Sequence, residues 1–137
     1  MTRIRDVDRS KYTDYLKRAE ECFEIVQIAY QNSKWNACAI NAIFGVIAAA
    51  DALCIFEKGI RSASERHEDA LAIFLDIDRQ DEAIRNNAKR FGDILSKKTL
   101  SSYGEHLTTR KEAEDIKLQA ERFFDFVKDR INKKVPR

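Results

Sequence analysis

The stretch "WNACAINAIFGVIAAADALCIFEK", Trp35–Lys58, decides the fold, because nearly every residue in it is apolar or small. Within residues 37–56 only Asn41, Gly45 and Asp51 interrupt the apolar run. As a helix, this run is just long enough to cross a bilayer at about 1.5 Å of rise per residue. An aspartate near the middle of a membrane helix costs about 3 kcal/mol, however, and the rest of the chain is strongly polar. We therefore expect the core helix of a soluble domain and no membrane partner.

A helix that is apolar on nearly all sides must be covered on nearly all sides. A single small bundle leaves a central helix partly bare, so we expect a homodimer in which a second copy covers the remaining face. Small side chains along the helix would let a neighbouring backbone approach closely, from the same chain or from the partner. They are Ala48, Ala49, Ala50 and Ala52.

The composition favours one helical domain over residues 1–137. Of its 137 residues, 44% are apolar and 35% are charged, so the chain is long enough to bury one core. It contains one proline and four glycines, which leaves little material for hairpin turns and favours an all-α fold. The net charge of +2 is smaller than the excess that a sequence-independent nucleic-acid binder usually carries.

The cysteines and histidines favour a reducing compartment and offer no metal site. Cys22, Cys38 and Cys54 lie in apolar runs without a CxxC spacing, and no secretion signal opens the sequence. We therefore expect reduced core cysteines in a cytoplasmic protein. A structural zinc site needs four clustered ligands, which three scattered cysteines and two distant histidines do not offer. No metal and no cofactor are predicted.

Apolar residues spaced three and four apart predict helices on both sides of the central one. No segment alternates convincingly at period two, so no strand is predicted. The expected fold is an all-α, up-and-down bundle of four main helices plus one short helix. The helices are predicted from a Ser10 cap to about Asn32, from a Ser33 cap to about Lys58, from a Ser64 cap to about Ile77, from Asp81 to Lys98, and from a capping box of Thr109 and Glu112 to about Ile131.

The segment "KGIRSASERHEDALAIF", Lys58–Phe74, holds the main candidate for chemistry, because the common enzyme motifs are absent from the chain. Five residues separate Arg61 from His67, and Arg66 directly precedes the histidine. Such a pair has a use in cutting RNA without metal. The imidazole exchanges a proton with the 2′-hydroxyl or the leaving oxygen, and the guanidinium holds the scissile phosphate. The alternative is that His67 packs locally in the first turn of a helix while Arg61 is a solvated loop residue.

Two polar residues of the central helix, Asn41 and Asp51, are candidates for supporting this pair. A buried aspartate needs a partner, which Arg61, Arg66 or a tyrosine hydroxyl would supply. The aspartate would then either lock its helix to a neighbour in a structural ion pair or hold an arginine ready for phosphate.

The segment "SKKTLSSYGEH" adds a basic loop after the fourth predicted helix. Its side chains either line the same groove and contact phosphate or RNA, or remain solvated. They are Lys97, Lys98, Tyr103 and His106.

Three stretches together resemble the HEPN family, the higher eukaryote and prokaryote nucleotide-binding domains. The stretch "KYTDYLKRAEECFEIVQIAYQNSKWNACAINAIFGVIAAADAL" is similar to their first two helices, which open with Tyr-Leu-x-x-Ala-Glu and continue alanine-rich. The stretch "IRSASERHEDALAIF" resembles their arginine-to-histidine segment, and "SSYGEHLTTRKEAEDIKLQAERFFDFV" resembles their tyrosine loop and last helix. The resemblance covers about residues 11–131.

The resemblance implies a homodimeric bundle of four to five helices. Many members are metal-independent ribonucleases of toxin–antitoxin, antiviral or RNA-processing systems, with a histidine four to six residues after an arginine. Arg61 and His67 satisfy that count, and Ser62 fits the polar place after the arginine. Members usually carry the arginine on a helix, whereas Arg61 falls in a predicted loop. Other members are catalytically silent and bind nucleotides, RNA or a protein partner such as a nucleotidyltransferase or an antitoxin.

Overall fold

The computed structural model describes residues 3–98 and 106–135 of the chain. Over these ranges it contains five α-helices, which confirms the all-α bundle, and a small two-stranded sheet. The elements in chain order are β1 (Ile4–Asp6), a 3-10 turn (Arg9–Lys11), α1 (Tyr12–Gln31), α2 (Trp35–Lys58), β2 (Ile60–Ser62), α3 (His67–Leu75), α4 (Glu82–Leu95) and α5 (Arg110–Lys134).

Helix α2 lies at the centre of the bundle and packs most extensively against α1 and α5. Twelve of its 24 residues are buried. At Gly45 an added Cβ would lie 2.8 Å from Cε2 of Phe23, so the absence of a side chain there lets α1 and α2 pack closely. Within the described ranges α2 alone is long and apolar enough to cross a membrane, and in this fold it is the central helix of the core.

The apolar face of α5 closes the core from the other side, as its sequence pattern predicts. Its seven buried residues follow the three-four spacing that opens after the capping box. Phe123 of this face packs with Phe74 of α3 and Phe91 of α4, with ring centroids 5.4 Å from each. These aromatic contacts hold α3 and α4 against α5.

A short antiparallel sheet, which the sequence does not predict, fixes the segment after α2. Strand β1 pairs with β2 so that Arg5 lies opposite Arg61. The chain turns back at Gly59, whose φ of 68° lies in the left-handed region that glycine adopts without strain. Strands of three residues are too short to show a period-two pattern. Arg61, expected in a loop, therefore lies in a hydrogen-bonded strand.

The first two helices begin differently from the predicted serine caps. Asp8 accepts a hydrogen bond from the backbone N–H of Ser10 at 2.9 Å and caps the 3-10 turn, so Ser10 lies inside that turn. Ser33 adopts a φ of 56° in the connection before α2, and Lys34 occupies the cap position without a side-chain hydrogen bond. The bounds of α2 nevertheless match the prediction.

The third and fourth helices are shorter than predicted. The Ser64 hydroxyl accepts from the backbone N–H of Arg66 at 3.0 Å, which forms a turn and delays the start of α3 to His67. Helix α4 ends at Leu95, and just beyond it the Lys97 N–H bonds to the Ile94 oxygen, three residues back instead of four.

The capping box that opens α5 is confirmed. The Thr109 side chain accepts from the Glu112 backbone, and the Glu112 carboxylate accepts from the Thr109 N–H at 2.9 Å. Glu112 also bonds to His106 at 2.8 Å. These hydrogen bonds lower the pKa of Glu112 to about 2, so the box stays charged in mild acid.

An ion network joins the C-terminal end of α2 to α4 and α5. Arg130 of α5 donates to Glu57 at 3.2 Å and to Asp81, the cap residue of α4, at 2.8 Å. Lys134 adds a third cation–carboxylate contact, to Glu57 at 2.7 Å. The Arg130 and Glu57 side chains are only 16% and 12% exposed, so these charges satisfy one another where water reaches them poorly.

Candidate functional site

A cavity of about 190 Å³ opens between α2, β2 and the start of α3. We call it the α3 cavity. Its polar lining comes from α2, β2, the connection from β2 to α3, the start of α3 and Lys98 beyond α4, and its apolar wall includes Phe44, Phe91 and Leu95. Its lining contains one histidine and five charged residues: His67, Asp51, Arg61, Glu65, Arg66 and Lys98. The structure therefore brings together five of the residues that the sequence singled out.

Strand β2 holds Arg61 at the back of the α3 cavity. Its Nη1 donates to the backbone oxygen of Ser62 at 3.1 Å. Its Nε is buried and has no hydrogen-bond partner within the described ranges. Its Cζ lies 5.7 Å from the centre of the Tyr15 ring, which supports the guanidinium by a cation–π contact. A buried donor without a partner costs free energy, so the site gains when a ligand accepts from it.

Asp51 projects from the middle of α2 into the same cavity. No hydrogen bond or ion pair joins its carboxylate to another described residue, although Arg61 lines the cavity beside it. Burial raises the pKa of Asp51 to about 6, while the charges of Arg61 and Arg18 act in the opposite direction. The structural ion pair considered from the sequence is therefore not formed as a direct contact.

His67 is the first residue of α3 and is partly buried at the cavity wall. Arg66 occupies the N-cap position of α3, but its side chain makes no hydrogen bond to the backbone N–H groups of the first turn. Arg66 is exposed and lies 3.7 Å from Glu68, a weak surface contact. Lys98 reaches the cavity from beyond α4, with its Nζ 5.5 Å from the centre of the Phe44 ring. Three cations and a helix N-terminus favour an anion, whereas the carboxylates of Asp51 and Glu65 in the same lining oppose one.

Two of the remaining predicted site residues, Asn41 and Lys97, do not line the cavity. Asn41 donates to the backbone oxygen of Ala37 at 2.9 Å, one turn earlier on α2. Lys97 follows α4 but does not line the cavity, and Tyr103 lies outside the described residues. Cys54 does line it, but burial raises the pKa of its thiol, which removes it as a nucleophile near neutral pH.

A second cavity, of about 420 Å³, lies on the other side of Asp51 and Arg61. We call it the α1 cavity. Four residues line both cavities: Phe44, Ile47, Asp51 and Arg61. Helix α1 contributes Tyr15, Arg18, Glu21 and Cys22. The sequence analysis did not predict the α1 cavity, because Tyr15 fits the apolar stripe of α1. The one signal for it was Arg18, a charged residue three positions after Tyr15 and therefore next to it on the helix surface.

A model of the HEPN domain matches residues 12–130, from the start of α1 almost to the end of α5. The chain belongs to the HEPN family. The match includes the Arg61–His67 segment and both cavities, and it confirms the resemblance seen in the sequence. A comparison with curated proteins found no similar sequence. The family therefore rests on the domain match, and the fold of this HEPN domain agrees with it.

Proposed function

We propose that this HEPN domain forms a homodimer that binds RNA and cleaves it without a metal ion. The observation that carries the proposal is that Arg61 and His67, paired by spacing in the sequence, line one cavity together with Arg66 and Lys98. The cations would hold a phosphodiester, and the imidazole would exchange the protons.

The proposed reaction is an attack by the ribose 2′-oxygen on the adjacent phosphorus. His67 takes the 2′-hydroxyl proton, the 2′-oxygen–phosphorus bond forms, and the bond from phosphorus to the 5′-oxygen breaks. The leaving oxygen takes a proton from water or from the histidine of the second copy. The products are a 2′,3′-cyclic phosphate and a 5′-hydroxyl. Arg61, with a buried donor free to bond, would stabilise the negative charge that builds on the phosphate oxygens.

The size of the α3 cavity supports a phosphate group of a longer chain as the ligand. Pockets for free small molecules usually measure about 300–1,000 Å³. A space of about 190 Å³ is smaller than that and suits a phosphate with part of its ribose. RNA backbone is therefore a better fit to this cavity than a whole free nucleotide.

The homodimer is supported by an apolar strip that the bundle leaves uncovered on α2. Phe44 is 44% exposed, and Ile40, Ile47 and Ala48 beside it are only partly covered. Ile25 of α1, 45% exposed and one turn from Cys22 of the α1 cavity, extends the strip. A second copy would cover Ile40 and Ile25 and bring a second Arg61–His67 pair towards the first, with Phe44 and Ile47 left open to the two cavities that they line.

The alternative function is a non-catalytic module that binds RNA, a nucleotide or a protein partner such as a nucleotidyltransferase or an antitoxin. A specific observation favours it. No hydrogen bond to another described residue orients the His67 imidazole, and catalytic histidines are usually held by such a bond. Anion binding by Arg61 and Lys98 needs no oriented imidazole, so it would persist without cleavage.

The test is incubation of purified protein with mixed RNA in the presence of EDTA, followed by analysis of the ends. The wild type is expected to release 2′,3′-cyclic phosphate ends, and His67→Ala is expected to be at least a hundredfold slower, since general acid–base catalysis contributes about 10²–10⁴-fold. His106→Ala is the matched control, because the other histidine bonds to Glu112 away from both cavities.

Equal degradation by wild type and His67→Ala would overturn the ribonuclease. RNA binding followed by fluorescence anisotropy separates the two candidates. Binding that is lost in Arg61→Ala, without any cleavage, would support the non-catalytic module instead. No RNA binding and no cleavage would contradict both RNA functions and leave a nucleotide or a protein partner.

A further inference from the structure

We infer that the α1 cavity is a base-binding subsite that receives the base next to the bound phosphate and prefers guanine. The inference rests on the proposed RNA function, because it takes the α3 cavity as the phosphate site. It adds a specificity that the Arg61–His67 pair does not provide by itself.

The two cavities are neighbours that share a wall. Arg61 and Asp51 line both of them, so a phosphate bound to the guanidinium from the α3 side stands beside the α1 cavity. With about 420 Å³, the α1 cavity is the larger of the two and lies within the range of pockets that hold small molecules. A nucleotide whose phosphate occupies one cavity can therefore place its base in the other.

The lining of the α1 cavity offers flat surfaces for a base. Tyr15 and Phe44 contribute aromatic rings from two different helices. The Arg18 guanidinium lies 4.8 Å from the centre of the Tyr15 ring, and its side chain is exposed. Unpaired RNA bases are commonly bound by stacking on aromatic rings and on arginine planes. These surfaces favour a base over an apolar ligand.

The carboxylate of Asp51 gives the subsite its preference. It has two acceptor oxygens and no hydrogen-bond partner among the described residues, and Glu21 adds a second carboxylate at the rim. Guanine presents two adjacent donors on its Watson–Crick edge, N1–H and N2–H₂, which match a carboxylate in a bidentate pair. The other three bases present donors from a single position on that edge, so they leave an oxygen of a poorly solvated carboxylate unpaired.

The experiment measures binding, so that it does not depend on cleavage. The full chain is titrated at pH 8 with the 3′-monophosphates of guanosine, adenosine, cytidine and uridine, and with ribose 5-phosphate, and followed by NMR. Guanosine 3′-monophosphate is expected to bind about tenfold more tightly than the others, the effect of one good bidentate pair. Asp51→Asn is expected to abolish that difference and to let ribose 5-phosphate bind at least as tightly as before, because it removes a negative charge from the wall of the phosphate cavity.

Tyr15 provides a second, independent variant. Tyr15→Leu is expected to weaken all four nucleotides about tenfold more than it weakens ribose 5-phosphate, because the nucleotides lose stacking whereas ribose 5-phosphate loses only the cation–π support of Arg61. Tyr15→Phe keeps the ring and is expected to bind like the wild type. A loss of affinity in both Tyr15 variants, together with a lowered melting temperature, would indicate a structural role and would count against the subsite.

The outcomes separate this inference from the proposed function. Equal binding of all four nucleotides and of ribose 5-phosphate would overturn the base subsite while leaving the phosphate site intact. A guanine preference that persists in Asp51→Asn would overturn the assignment to Asp51. Absence of binding by every probe, together with absence of RNA binding, would overturn the proposed function and the subsite together.

Discussion

Two largely buried carboxylates on α2, less than two helical turns apart, have opposite surroundings. Glu57 receives bonds from Arg130 and Lys134, and the same Arg130 bonds to Asp81. Asp51 lies near Arg61 without a direct bond, and the Nε of Arg61 is buried without a partner in the described ranges. The first cluster is complete within the described part of the chain. The second cluster lacks hydrogen-bond partners for Asp51 and for the Nε of Arg61, and a bound ligand would supply them.

The contrast between Glu57 and Asp51 shows how similar charged residues can serve either the stability of the fold or the binding of a ligand. A buried charge costs free energy unless it is paired and hydrogen-bonded. At Glu57 that cost is offset inside the protein, so the cluster fixes α2 to α4 and α5. At Asp51 and Arg61 it is not offset, so the fold holds two charged groups ready at the wall of two cavities. Such unsatisfied polar groups are typical of functional sites.

The largest expected effect comes from breaking the complete cluster. Arg130→Met leaves Glu57 and Asp81 half-buried with fewer bonds, and is expected to lower the free energy of unfolding by about 3 kcal/mol. Chemical denaturation measures it. The control is Arg122→Met on the same helix, where the side chain is exposed and a change within about 0.5 kcal/mol is expected. Equal losses in the two variants would remove the contrast between the clusters.

The incomplete cluster is expected to respond in the opposite direction. Raising the pKa of Asp51 from 3.8 to about 6 means that its ionised form is disfavoured in the folded state. Asp51→Asn removes this cost and is expected to stabilise the fold by about 2 kcal/mol at pH 8, with allowance for partial exposure. Asp125→Asn, at an exposed aspartate, is the matched control and is expected to change little.

The gain from Asp51→Asn is expected to depend on pH. The folded state keeps the Asp51 proton up to about pH 6, whereas the unfolded chain loses it near 3.8. The protonated Asp51 carboxyl therefore does not disfavour the folded state at about pH 4, and its ionisation lowers the free energy of unfolding as the pH rises through 6. The difference in unfolding free energy between variant and wild type should be small at pH 4 and level off above about pH 7. A gain that is independent of pH would show that the carboxylate charge is not its cause.

The smallest effect on stability is expected at the uncovered strip. Ile25→Glu places a charge on an exposed side chain, so the unfolding free energy of the separate subunit should change by less than about 0.5 kcal/mol. Self-association should weaken strongly, because the charge would be buried in the proposed dimer. Analytical ultracentrifugation of both proteins measures this. A wild type that is monomeric at micromolar concentration would contradict the dimer.

Several local features could be predicted from the sequence because they depend on neighbours along the chain. The bounds of α2 follow from one unbroken apolar run, and the α5 face follows from its helical spacing. The Thr109–Glu112 capping box needs only the residues of one turn. The caps at Ser10 and Ser33 were predicted wrongly, because a 3-10 turn capped by Asp8 moves the start of α1 to Tyr12 and because Ser33 adopts a positive φ, which leaves the cap position of α2 to Lys34.

The sequence by itself determined the all-α fold, the HEPN family and the candidate pair of Arg61 and His67, since these depend on order and spacing. Only the tertiary structure placed Arg61 in a strand and joined it to Asp51, Tyr15 and Phe44 around two cavities. The physical reason is that a carboxylate's partners and a cavity's walls come from segments distant in the chain. The packing of the helices decides which of these distant residues come into contact, and no local sequence pattern predicts those contacts.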